Sequence, residues 1–186
     1  MKLSSLLFAG ALLIGATACN KSGSDDPQPS QPGAGGSADQ MTWTLGTTTT
    51  TASGENNPNV VTSSDTHNGV TKRTLIMVGN QYSSSNPRPG VRITLDNLTG
   101  PGTYALLPNG DNQAAAWEGG ASGKTYSSYN MPASSTPVGQ VVVSSYDAST
   151  RRLKGTFSFS GRSTGAGATT QQISNGSFDV RVLLSF

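Results

Sequence analysis

The sequence of 186 residues has a single cysteine, Cys19, and a single histidine, His67. A lone cysteine excludes a disulfide within the chain, so the folded part must be stabilised by its core alone. One histidine and one cysteine cannot supply the ligands of a zinc site. We therefore expect no metal of that kind, and we expect no cofactor.

Charge is scarce as well, because charged residues make up 12% of the chain and its formal net charge is only +2. Proteins that bind nucleic acids carry clustered basic residues. The two basic pairs here are Lys72-Arg73 and Arg151-Arg152, which we interpret as solvated positions in strands or turns. We expect no nucleic-acid partner.

The chain has no apolar run long enough to span a bilayer as a helix, which needs about 20 apolar residues. Its main apolar stretch runs from Leu6 to Ile14 and follows a single basic residue, Lys2. This stretch is typical of a signal peptide. Small residues through Ala18 follow it and lead directly to Cys19, the position of the acylated cysteine in a bacterial lipoprotein.

The cleavage site leaves one alternative open. A lipoprotein site usually has Leu three residues before the cysteine, and this chain has Ala16 there. Ala16-Thr17-Ala18 also fits the A-x-A site of ordinary secretion. A secreted protein with an N-terminal cysteine is therefore the alternative to lipidation at Cys19.

The segment after Cys19 lacks large apolar residues and is rich in Pro, Gly, Ser and Gln. Such a segment cannot bury enough apolar surface to offset its ordering entropy. We predict a signal peptide at 1–18, a lipidated cysteine with a disordered tether at 19–40, and a single β-sandwich domain at 41–186. The expected location is the bacterial cell envelope, anchored by lipid in the outer membrane and facing the periplasm or the surface.

Beyond the tether the sequence has no helical periodicity and alternates repeatedly between apolar and polar residues, which predicts strands. Turns rich in Gly, Pro and Asn separate them. This pattern predicts an all-β fold, an antiparallel β-sandwich or barrel-like sandwich of about 8–10 strands. Six residues share the predicted inward phase of the last two strands: Leu153, Phe157, Phe159, Phe178, Val180 and Val182. The predicted strands lie at 42–51, 70–78, 91–96, 103–107, 114–118, 124–129, 139–146, 151–160 and 178–186.

The last third contains VGQVVVSSYDASTRRLKGTFSFSG and, further on, ISNGSFDV. These segments resemble the ending of uncharacterised β-rich lipoprotein domains of Bacteroidota-type bacteria. In those domains a G-x-v-x-i-t-x-Y-D strand leads to G-T-F-s-F, and a later i-t-n-G-x-F strand closes the domain. Gly102-Thr103-Tyr104 resembles their upstream G-T-Y-x-L element. The resemblance implies a β-rich fold and a lipoprotein address, and it implies no activity and no catalytic residues.

His67 is the one residue that suggests acid–base catalysis, and Asp65 lies two residues before it. No nucleophile elbow of the form G-x-S-x-G in a strand–helix context accompanies them. We interpret His67 as an exposed loop histidine and expect that the protein is not an enzyme.

Three aromatic residues, Trp117, Tyr126 and Tyr129, lie close together in a stretch rich in Gly and Ser. Exposed rings of this kind can stack on a sugar, although packing in the core or along a sheet edge is the interpretation we favour. The sequence thus predicts a lipid-anchored, non-catalytic binding or structural module whose protein or glycan partner is unknown. The alternative is a carbohydrate-binding module or glycan-processing enzyme that uses these aromatics.

Overall fold

The computed structural model describes residues 38–54, 58–67, 70–80, 88–120 and 123–182, with the backbone alone at His67 and Val70. The predicted signal peptide, Cys19 and most of the predicted tether lie outside these residues. So do Leu184 and Phe186 of the last predicted strand. No helix in the described ranges is long and apolar enough to cross a membrane.

The described residues form eleven β-strands and no helix. The alternation of buried and exposed side chains along most strands is the one that a half-buried sheet requires. The strands are β1 (Gln40–Leu45), β2 (Thr48–Ser53), β3 (Asn59–His67), β4 (Val70–Asn80), β5 (Gly90–Leu95), β6 (Gly102–Leu106), β7 (Gln113–Trp117), β8 (Thr125–Ser127), β9 (Gly139–Asp147), β10 (Arg152–Arg162) and β11 (Thr170–Arg181).

All eleven strands belong to one antiparallel sheet. Nine of them follow one another in the order β2-β1-β11-β10-β8-β7-β5-β4-β3, and β9 and β6 form a branch. Strand β10 is the branch point, because its first eight residues pair with β9 and its last residue pairs with β8. Strand β6 extends the branch by pairing with β9. A long central strand therefore joins two wings of the sheet.

The sheet curls until its two ends pack against each other. Gly79 of β4 faces strands β1 and β2 so closely that a Cβ there would lie 3.1 Å from Met41 Cβ and 3.3 Å from Ala52 Cβ. The inward side chains of both wings fill the space between, with Trp43 and Phe159 among the largest fully buried. The curled sheet forms a half-barrel, which confirms the predicted all-β, barrel-like sandwich.

Two glycine–phenylalanine pairs pack across the neighbouring strands β10 and β11. Gly155 lies opposite Phe178, and Phe157 lies opposite Gly176. A Cβ on either glycine would overlap the phenylalanine ring opposite it. Each ring thus covers the glycine on the neighbouring strand, and the predicted inward phase of Phe157 and Phe178 is confirmed by their burial.

Arg152 is buried, with 7% of its surface exposed, so the predicted solvated position is wrong for this residue. Its guanidinium binds Asp179 through Nε at 2.6 Å and Asp39 through a terminal nitrogen at 3.3 Å. Burial raises the pKa of Asp179, but hydrogen bonds from Arg152 and Lys154 outweigh burial and leave that pKa lowered. Two carboxylates from distant parts of the chain compensate the buried charge.

Candidate functional site

A cavity opens at one end of the curled sheet, where the β1–β2 turn meets the residues before β5 and after β7. Its volume is about 360 Å³, within the usual range of small-molecule sites, roughly 300–1,000 Å³. We call it the end cavity. Its lining residues are Leu45, Gly46, Thr47, Thr48, Thr50, Pro89, Glu118, Gly119 and Gln171.

The lining of the end cavity combines one carboxylate with neutral polar groups and two apolar side chains. Glu118 accepts hydrogen bonds, the amide of Gln171 both donates and accepts, and three threonine hydroxyls do the same. Leu45 and Pro89 supply apolar surface. A few polar groups on a partly apolar wall are the usual means of orienting a small ligand.

The carboxylate of Glu118 is held in place from two sides. Its Oε1 accepts a hydrogen bond of 2.8 Å from the Tyr126 hydroxyl, and its Oε2 accepts one of 3.2 Å from the Lys124 backbone N–H. The Glu118 backbone N–H also donates to the Lys124 carbonyl at 3.0 Å, which closes the loop between β7 and β8. The carboxylate is therefore positioned before any ligand binds.

Tyr126 lies in the core, with 2% of its surface exposed. Burial raises the pKa of its hydroxyl, and the hydrogen bond to Glu118 raises it further. The hydroxyl thus remains a donor at neutral pH. Its ring offers no face to a ligand, so core packing, the interpretation favoured from the sequence, is confirmed for Tyr126.

Trp117 lies half-buried on the outer face of β7, directly opposite Gly90 of β5. Its ring covers this glycine, since a Cβ on Gly90 would overlap the indole. The indole N–H donates to the Arg88 carbonyl at 2.9 Å. Trp117 therefore neighbours the wall of the end cavity, because Pro89 and Glu118 both line it.

Tyr129 is exposed, with 46% of its surface accessible, but it does not join Trp117. Trp117 ends β7, whereas Ser128, next to Tyr129, donates its N–H to Ala114 near the beginning of the same strand at 2.9 Å. The two residues are thus at opposite ends of β7. The three predicted aromatics do not form one platform.

His67 has its backbone at the end of β3, where it pairs with Val70, and is not in a loop as its sequence context suggested. Asp65 is exposed on the same strand. Within the ranges that the structure describes, no three His, Cys, Asp or Glu side chains are close enough to hold a metal ion.

One buried donor lies on the strand that borders the end cavity. The Trp43 indole Nε1 has no hydrogen-bond partner among the described residues, although the side chain is fully buried. Thr50, which pairs with Trp43 across β1 and β2, lines the cavity. An unpaired buried donor costs roughly 1–3 kcal/mol and is rare in native cores.

Glu118 and Gln171 were not predicted as site residues from the sequence. Glu118 follows Trp117 at a strand end and precedes Gly119-Gly120, which is the only local signal that it had. Gln171 reaches the same cavity from β11, more than fifty residues further along the chain. Only the curl of the sheet brings the two together.

No curated protein and no solved structure is significantly similar to this chain. A family model does match it, over residues 49–180, and its description is a domain of unknown function, DUF6252. The resemblance to uncharacterised domains is therefore confirmed, while the lipoprotein address and the bacterial group stay predictions. Since the match covers most of the sequence, the chain belongs to the DUF6252 family.

Proposed function

We propose that this chain is a lipid-anchored protein of the bacterial cell envelope whose β domain binds a small polar ligand in the end cavity without a catalytic step. Two independent features support the proposal. The sequence around Cys19 supports the anchor, and the lining of the end cavity supports binding.

The anchoring part of the proposal rests on residues 1–19. An apolar stretch, a small-residue cleavage site and the only cysteine of the chain follow one another in the order of a lipoprotein signal. Each methylene of an acyl chain contributes about 0.8 kcal/mol of membrane affinity, so several chains on Cys19 would anchor the protein stably. The membrane is then a partner through this lipid.

The observation that carries the binding part is the Glu118 carboxylate, fixed by Tyr126 and Lys124 at the wall of a cavity of about 360 Å³. A positioned acceptor reduces the entropy that binding must spend on ordering side chains. A ligand that donates hydrogen bonds from hydroxyl or amine groups and has one apolar side matches this lining. The ligand class that we propose is therefore a small polyol, amino sugar or amino acid.

The test is a thermal-shift screen of monosaccharides, amino sugars and amino acids against the full chain carrying Cys19→Ser. We expect at least one compound to raise the melting temperature, and Glu118→Gln to remove that rise. Asp111→Asn is the control, because Asp111 is an exposed acid outside the cavity. A screen in which no compound acts, or in which Glu118→Gln responds like the wild type, would contradict the proposal.

A second candidate function is carbohydrate handling, by a binding module or a glycan-processing enzyme. It is favoured by the position of Trp117, whose half-buried ring lies beside the wall of the end cavity. A sugar chain that extends from the cavity beyond Glu118 would stack on this ring, since aromatic faces pack well against apolar ring surfaces. The other two predicted aromatics are not placed to assist.

A glycan array with the same soluble chain tests whether Trp117 takes part in carbohydrate binding. The carbohydrate function requires binding that Trp117→Ala weakens and Tyr129→Ala leaves intact. Equal effects of the two substitutions would argue against a stacking role for Trp117. Hydrolysis products in the array eluate would indicate the enzyme rather than the binding module.

A further inference from the structure

A second concave surface lies on the outer face of the sheet, across strands β9, β10 and β11, and is separate from the end cavity. We call it the sheet groove, and its volume is about 490 Å³. The residues that line it are Gln140, Val142, Thr156, Phe157, Ser158, Gln172, Ser174, Asn175 and Gly176.

A bulge in β11 shapes the sheet groove. The register between β10 and β11 shifts between Phe157 and Phe159, and Asn175 at this point has a φ of 50°, in the left-handed region. A bulge bends its strand and redirects side chains, and bulges are frequent beside functional sites. A non-glycine residue at positive φ is an unfavourable conformation that the surrounding structure must maintain.

The lining of the sheet groove carries no charge. It combines carboxamides and hydroxyls with apolar surface of nearly equal extent, to which Val142 and Phe157 contribute. The nearest charged pair along the strands, Lys154 and Asp179, is neutralised internally by a contact of 3.1 Å. A charged polymer would find no partner in this groove, whereas a neutral ligand rich in hydroxyls would.

Several polar side chains of the sheet groove have no partner of their own. Gln140 and Thr156 are exposed, and among the described residues neither side chain makes a hydrogen bond, nor does that of Ser158. Gln140 lies opposite Ser158 across β9 and β10, so an amide and a hydroxyl face outward together. A carboxamide both donates and accepts, as a sugar hydroxyl does.

The location of the sheet groove argues against a peptide partner. Strands β9, β10 and β11 each pair with a neighbour on both sides, so none presents a free edge for an added strand. The groove also lacks exposed aromatic or arginine side chains, which anchor most protein partners. Its lining suits a chain of hydroxyl groups better than a polypeptide.

We propose that the sheet groove binds a strand of neutral polysaccharide through hydrogen bonds from Gln140, Thr156 and Ser158 and contact with Val142. The interaction is independent of the end cavity and of its ligand. Each hydrogen bond contributes little net free energy, because it replaces one to water. A single groove therefore binds the polysaccharide weakly. Binding becomes stronger when many lipid-anchored copies of the protein contact one polymer.

The test is affinity electrophoresis of the full chain carrying Cys19→Ser in native gels that contain dextran, laminarin, xylan or mannan. We expect at least one of these neutral polymers to retard the chain. The double variant Gln140→Ala with Ser158→Ala should weaken retardation by about tenfold in apparent Kd. Thr156→Arg, which places a long charged side chain in the groove, should abolish it.

The matched control is Gln40→Ala, because Gln40 is also an exposed glutamine on the sheet but lies on β1 outside the groove. It should retain wild-type retardation, and urea melts should show that every variant is folded. Absence of retardation by all four polymers, or equal retardation of the double variant and the control, would overturn the proposal. Retardation by anionic alginate alone, or a loss that follows Glu118→Ala rather than the groove variants, would overturn it as well.

Discussion

The ring of Phe157 occupies the space that a side chain on Gly176 would need, because the two residues are cross-strand partners in β10 and β11. Phe157 is buried, with 3% of its surface exposed. Asn175, immediately before the glycine, has a positive φ where the register of the two strands shifts. Packing in the core and the bulge beneath the sheet groove therefore depend on the same pair.

The glycine of this pair is expected to be sensitive to the smallest substitution. A Cβ at position 176 would overlap both the ring and the backbone carbonyl of Phe157, so Gly176→Ala must move backbone. Overpacking of this kind costs about 1–3 kcal/mol. Gly102→Ala is the control, since the nearest atom to its Cβ would be 3.9 Å away. Urea melts that showed equal stability for the two variants would contradict the packing described.

Loss of the Phe157 side chain is expected to destabilise the fold more than loss of the side chain of Thr156, its outward-facing neighbour. Phe157→Ala leaves a cavity in the core and should cost about 3–5 kcal/mol, a large part of the roughly 5–15 kcal/mol of a typical domain. Thr156→Ala, on the exposed face of the same strand, should cost less than about 1 kcal/mol. The comparison requires urea melts of both variants. Similar costs would mean that both faces of β10 are buried.

Arg152 should be the arginine whose loss lowers the stability of the fold more than the loss of its exposed neighbour on β11. Arg152→Ala leaves Asp39 without its cation, while Asp179 keeps Lys154 at 3.1 Å. Because both carboxylates are partly exposed, the loss should cost about 1–3 kcal/mol. Arg181→Ala is the matched control, because the Arg181 side chain is exposed and only its backbone N–H binds Asp39. A control variant as unstable as Arg152→Ala would refute the role assigned to the guanidinium.

Asp147 should make the β9–β10 hairpin sensitive to acid. Hydrogen bonds from the Ser149 and Thr150 side chains, and from their backbone N–H groups, lower the pKa of Asp147 from 3.8 to about 2. Because this pKa is lower in the folded state, the ionised carboxylate stabilises the fold, and this stabilisation is complete above the unfolded-state pKa of 3.8. It is lost as the pH falls through the folded-state pKa of about 2.

The corresponding measurement compares urea midpoints of the wild type and Asp147→Ala between about pH 5 and pH 2. The wild type should have a higher urea midpoint than Asp147→Ala at the higher pH, and the two midpoints should converge as the pH is lowered. Asp111→Ala, which removes an exposed aspartate without these hydrogen bonds, should show no such trend. A difference that stayed constant with pH would rule out the carboxylate as its source.

The strands with the strongest apolar alternation could be predicted from the sequence together with their inward face. In β10 the spacing of Leu153, Phe157 and Phe159 predicted both the strand and its inward face. Strand β3 was missed because most of its exposed positions are Ser, Thr and Asp, and because it is an edge strand with one neighbour. A strand that buries little apolar surface has little periodicity to detect.

The candidate site depends on contacts between residues that are distant in the sequence. Local sequence patterns therefore could not predict most of it. Arg152 is buried by Asp39, a residue 113 positions away, so its sequence context suggested a solvated position. Tyr126 was identified, but as a ring to stack on, whereas its hydroxyl positions Glu118. Glu118 and Gln171 meet only because the sheet curls.

The claim that this domain works from a membrane surface is tested most directly by the mass of its N-terminal peptide, measured on protein extracted from bacterial membranes. The expected peptide begins at Cys19 and carries the mass of several acyl chains. Cys19→Ser should lose that mass and move the protein to the soluble fraction. A wild-type peptide that begins at Cys19 without acyl chains, or that retains Met1 to Ala18 uncleaved, would contradict lipid anchoring at Cys19.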